Sequence, residues 1–117
     1  MDTSDVWTDL LGRLTRATRD EITSRYGLVA GHCEEAAGDL AADLHALGYD
    51  AGLVWGEYDH PCPQGYPTTG HCWVAIGGMI ADPTRAQFDE GPPVCPAESM
   101  EATTYREHYT IPHSQLG

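Results

Sequence analysis

The chain predicts an α+β domain in which N-terminal helices pack on a small antiparallel β-sheet. Two observations carry that expectation. Up to Leu47 the apolar residues recur at helical spacing, and beyond it short strand-like runs alternate with glycine and proline turn signals. With 117 residues and 41% hydrophobic content, the chain is long enough for one modest core and too short for two. Residues 1–117 are therefore read as a single domain: an N-terminal helix over 1–27, a segment over 28–90 that carries the candidate chemistry, and a loop with a last strand over 91–117.

The first helix is expected from about Ser4 to Tyr26, with Ser4 or Asp5 as cap. Val6, Leu10, Leu14 and Ala17 fall on one face, and Trp7 and Leu11 widen it. Gly27 ends this helix. A second runs from Cys33 to Leu47, with Cys33, Ala36, Ala37, Leu40, Leu44 and Leu47 on its apolar stripe and Gly48 as stop signal. Ala51 to Tyr58 reads as a strand, with Leu53 and Trp55 on one side and Val54 on the other. The proline- and glycine-rich HPCPQGYPTTG then forms a loop. His71 to Ile76 and Met79 to Asp82 make a hairpin, because Gly77-Gly78 supplies the positive φ angles that a two-residue turn requires. DEGPPVCPAES is read as a loop, and Thr103 to Ile111 as the last strand.

The hairpin fixes a register. With Gly77 and Gly78 at the turn, Ile76 faces Met79, Val74 faces Ala81 and Trp73 faces Asp82. Asp82 then shares a face with Trp73 and His71, and diagonal neighbours of that kind have Cα atoms about 7–8 Å apart. A slip of one residue would send Asp82 to the other face.

Charge narrows the function classes. The formal net charge is -12, from 18 acidic residues against six arginines and no lysine. Nucleic acid is a poor partner for such a chain, since phosphate neutralisation needs clustered basic residues; a peptide or protein substrate is compatible with it. No stretch reaches the roughly 18 apolar residues of a membrane span, and Met1 to Asp5 lacks the basic start of a secretory signal, so the expectation is a soluble, cytoplasmic protein with no membrane partner. In that setting the four cysteines are expected as free thiols. His60, Cys62, His71, Cys72 and Cys95 lack the paired C-x-x-C spacing of a zinc site, so no metal and no cofactor is expected.

Cys33, His71 and Asp82 together suggest thiol chemistry. A helix N-terminus favours the thiolate, and its backbone N–H groups can hold an oxyanion. His71 would serve as general base and then acid, and Asp82 would orient it. Glu34 and Glu35 oppose the thiolate, so an acidic Cys33 needs help from His71.

The stretch from Gly31 to Phe88 resembles the core of the transglutaminase-like cysteine hydrolases, a branch of the papain-like fold. The residues that carry the resemblance are Cys33 at a helix start, His71-Cys72-Trp73-Val74 on the next strand but one, and Asp82-Pro83-Thr84 after the strand that follows. It implies catalytic roles for Cys33, His71 and Asp82, on an amide, thioester or peptide bond. The papain-type glutamine has no counterpart in SRYGLVAGH upstream of Cys33. Tyr26 and a side chain from the strand of Trp55 are candidates for the second oxyanion donor, and Trp73 is expected to pack on the imidazole or line the cleft. Loops 59–70 and 89–103 are expected to shape the pocket. The reading is a small thiol peptidase or amidase. Its alternatives are an acyltransferase or deamidase of transglutaminase type and, from another class, a non-catalytic peptide-binding protein that keeps the fold.

Overall fold

The computed structural model describes residues 3–115, with side chains from Val6 onward. Two helices, α1 (Thr3–Tyr26) and α2 (Cys33–Ala46), precede the strands β1 (Gly52–Tyr58), β2 (Thr69–Ile76), β3 (Met79–Ala81), β4 (Val94–Pro96) and β5 (Tyr105–Pro112). The strands form one antiparallel sheet in the order β4-β3-β2-β1-β5, so the last strand returns to pair beside the first. This is the α+β architecture expected. The capping role given to Ser4 or Asp5 lies outside the described side chains.

The helices cover one face of the sheet. Ala37, Leu40, Ala41 and Leu44 of α2 pack with Leu53, Cys72, Val74 and Ile76, and Leu11 of α1 completes that core. Burying an aliphatic side chain of this size contributes roughly 1.5–3 kcal/mol. The buried stripe of α1 differs from the expected one: it runs through Leu11, Thr15, Thr18 and Ile22, while Val6 is 55% exposed. The two threonines can be buried because their hydroxyls donate to the carbonyls of Leu11 and Leu14, four residues back, at 2.6 and 3.0 Å. Leu47 is exposed rather than on the α2 stripe, because the helix ends at Ala46 and Leu47 is its C-cap.

The opposite face carries a second cluster, Val54, Tyr58, Trp73, Ile80, Cys95, Ala102 and Tyr105. Cys95 belongs to β4, inside the segment read as a loop. Three residues with a proline at one end leave too short a run to show alternation, and within the sheet β4 pairs only with β3. The β2–β3 hairpin has the expected register, Val74 to Ala81 and Ile76 to Met79, with both turn glycines at positive φ.

Candidate active site

His71 is brought to Asp82 by that register. Its Nε2 lies 2.7 Å from Asp82 Oδ2, and both side chains are fully buried. Asp82 follows the last residue of β3, and its carboxylate is held from three further directions. Oδ1 accepts the backbone N–H of Thr84 at 3.0 Å and its hydroxyl at 3.2 Å, so the Asp-Pro-Thr turn closes on its own aspartate. Oδ2 also accepts the Tyr105 hydroxyl at 2.9 Å. Burial and the adjoining carboxylate push the Tyr105 phenol far up, so it remains a donor.

Tyr105 is a site residue that the sequence pattern does not reveal, since the run from Thr103 to Ile111 reads only as a strand. It lies 23 positions from Asp82, and only the return of β5 to the far side of β1 brings the two together. Aromatic rings box the imidazole. Phe88 meets it edge-on with centroids 4.9 Å apart, and Trp73 lies along it at 5.8 Å. Trp73 is 2% exposed and sits in the core cluster with Tyr105, so it packs on the imidazole and is no wall of the cleft.

Cys33 stands at the first turn of α2, half-buried, and shares a cavity of about 310 Å3 with His71, Glu34, Trp55, Cys72 and His108. Gly56 and Gly70 complete its lining. Gly56 is the cross-strand partner of His71 and adjoins the bulge between β1 and β5. His71 Nδ1, the ring nitrogen not used by Asp82, is buried without a hydrogen bond of good geometry. The thiol is nevertheless close enough for the two groups to shift each other. Burial pushes the Cys33 thiol up, but the His71 imidazole and the Cys72 backbone N–H outweigh it and hold it below its ordinary value. Burial works against the imidazolium too, but Asp82 and Cys33 raise His71 to about 9. The remaining buried thiols go the other way: burial lifts Cys72 to about 12 and raises Cys95.

The first bond into α2 runs from Ala36 N–H to His32 C=O at 2.9 Å, so the N–H groups of Cys33, Glu34 and Glu35 have no partner within the helix. Tyr26 does not join them. Its hydroxyl donates to Glu35 at 2.8 Å and its ring stacks on His32, which spends the phenol away from the Cys33 cavity. Trp55 does line that cavity, stacked on Tyr109 with centroids 5.2 Å apart. Of the two loops expected to shape the pocket, only 59–70 borders an adjoining cavity of about 680 Å3; the 89–103 loop contributes to a hollow on the opposite face. The imagined zinc ligands do not converge: among the described residues no three His, Cys, Asp or Glu side chains are placed to hold a metal ion.

No family model matches the chain, and neither a curated protein nor a solved structure matches it.

Proposed function

We propose that the protein is a thiol-dependent acyl hydrolase, a small peptidase or amidase, with Cys33 as nucleophile, His71 as proton carrier and Asp82 as the group that positions His71. One observation carries this reading: a buried imidazole, fixed by a carboxylate through Nε2, leaves Nδ1 without a hydrogen-bond partner beside a half-buried thiol of lowered pKa. A buried polar atom left unpaired is costly, and a transferable proton at that atom gives the cost a purpose. The likeness of Gly31 to Phe88 to the transglutaminase-like hydrolases supports the same roles.

In this mechanism the pair rests as thiolate and imidazolium. Cys33 Sγ attacks the substrate carbonyl carbon, forming a C–S bond while the carbonyl π electrons move to oxygen. The free N–H groups at the start of α2 receive that oxyanion. Its collapse breaks the C–N bond, and the leaving amine takes the proton from His71 Nδ1. Water then attacks the thioester and gives a proton back to Nδ1, and the C–S bond breaks to release the acid.

An activated acyl ester such as p-nitrophenyl butyrate tests the proposal without knowledge of the natural substrate. The expected result is a burst of one nitrophenolate per chain, with the acyl mass on the Cys33 peptide, and no burst from Cys33→Ala. A wild-type protein that shows no burst, or one acylated at another residue, contradicts the reading.

A further inference from the structure

The cavity of about 680 Å3 shares Gly56, Gly70 and His108 with the cavity that holds Cys33, so the two form one depression with the nucleophile at one end. We propose that the larger cavity is a specificity subsite for a cationic side chain of a peptide substrate, read by the Glu57 carboxylate. This rests on the function proposed above and adds the substrate class to it.

Glu57 is the only aspartate, glutamate, lysine or arginine among the residues that line this cavity. Its two oxygens are fixed separately: Oε1 accepts the Thr68 hydroxyl at 2.6 Å, and Oε2 meets His108 Nε2 at 3.0 Å. These bonds, Thr68 first and His108 second, hold the Glu57 carboxyl below its ordinary value, so it carries its charge at neutral pH. Each oxygen keeps a further acceptor position for a ligand. Arg106 lies directly across from Glu57 in the β1–β5 pairing but reaches Asp59, at 4.0 Å, and lines neither cavity. Glu34 stands at the nucleophile end, so both carboxylates along the depression have the same sign. Tyr66, 68% exposed on the rim, offers a ring face to a guanidinium or ammonium group. The net charge of -12 draws basic peptides toward the protein and repels acidic ones.

The test uses acetyl-tripeptidyl acyloxymethyl ketones in which one arginine, leucine or glutamate occupies each of the three positions in turn, the rest being alanine. At one position the arginine probe is expected to alkylate Cys33 at least about tenfold faster than the glutamate probe, with leucine between. Glu57→Gln should reduce that ratio to a few-fold at most, and Glu57→Arg should invert it. Reading ratios within each protein cancels any general change in thiol reactivity. Equal rates at all three positions, or a preference that survives both substitutions, overturn the subsite. Iodoacetamide needs no subsite: if it labels Cys33 selectively while the ratios are flat, the subsite alone fails. If it does not favour Cys33 over Cys62, the nucleophile and the subsite fail together.

Discussion

Asp82 accepts four hydrogen bonds with no part of its surface exposed, which makes it the residue on which the site's geometry depends most. Replacing it with alanine leaves the Tyr105 hydroxyl, the Thr84 donors and His71 Nε2 unpaired in a sealed space, at a cost of about 3–5 kcal/mol in stability by denaturant unfolding. Tyr105→Phe is a gentler probe, keeping the ring against Trp73, where centroids are 5.0 Å apart, and removing only the donor to Oδ2. It should cost about 1.5–3 kcal/mol and lower the acylation rate through Asp82's hold on His71, moving the alkaline limb of the pH profile; an unmoved limb would make Tyr105 a packing residue only. At this scale Cys33, His71 and Asp82 were legible because chain order and a Gly-Gly turn fix them locally. Tyr105 was not, since its role depends on a strand pairing that no local pattern encodes.

The strands show where local reading stops. The β2–β3 hairpin is specified by two adjacent glycines and by alternation, and its observed register is the expected one. By contrast β4 has three residues and β5 pairs with a strand about fifty residues earlier, so neither pairing leaves a periodic signal. The rotated face of α1 has the same origin: Thr15 and Thr18 look polar in a hydropathy pattern, yet they satisfy their hydroxyls within the helix and enter the core. Gly56 is the element-scale residue with the sharpest consequence. A Cβ there would collide with the carbonyl oxygen of Arg106 and lie 2.8 Å from the Trp73 ring, in the middle of the β1–β5 pairing. Gly56→Ala is therefore expected to destabilise the protein by about 2–4 kcal/mol, more than an alanine at the half-buried Gly38, where nothing lies within 4 Å. Equal melting temperatures for the two variants would contradict the account of the bulge.

For the whole molecule, the free thiols, the acidic surface and the buried pair meet in the response to pH. No helix among the described residues is long and apolar enough to cross a membrane. In the wild type the raised His71 and lowered Cys33 oppose each other in linkage, because the pair shifts a proton between its members without changing their number. Cys33→Ser removes the thiol and leaves the His71–Asp82 pair. Below the unfolded imidazole value of 6.5, both states hold the His71 proton and the pair's contribution is complete. Above it, for as long as Asp82 keeps the folded imidazole raised, the folded state holds a proton the unfolded one has lost, so stability should fall as pH rises, and the window closes below the wild-type value because the share contributed by Cys33 is gone. Denaturant unfolding of Cys33→Ser across this window checks the sign, and a flat or rising stability would mean that His71 is not held as the imidazolium. The measurement that reaches the central claim most directly is the rate of Cys33 alkylation by iodoacetamide as a function of pH, in the wild type and in His71→Ala. The wild-type rate should reach its plateau below the ordinary thiol value of 9.0, with His71→Ala rising only near or above it. Coincident curves for the two proteins would show that His71 does not activate Cys33, and the proposed chemistry would fall.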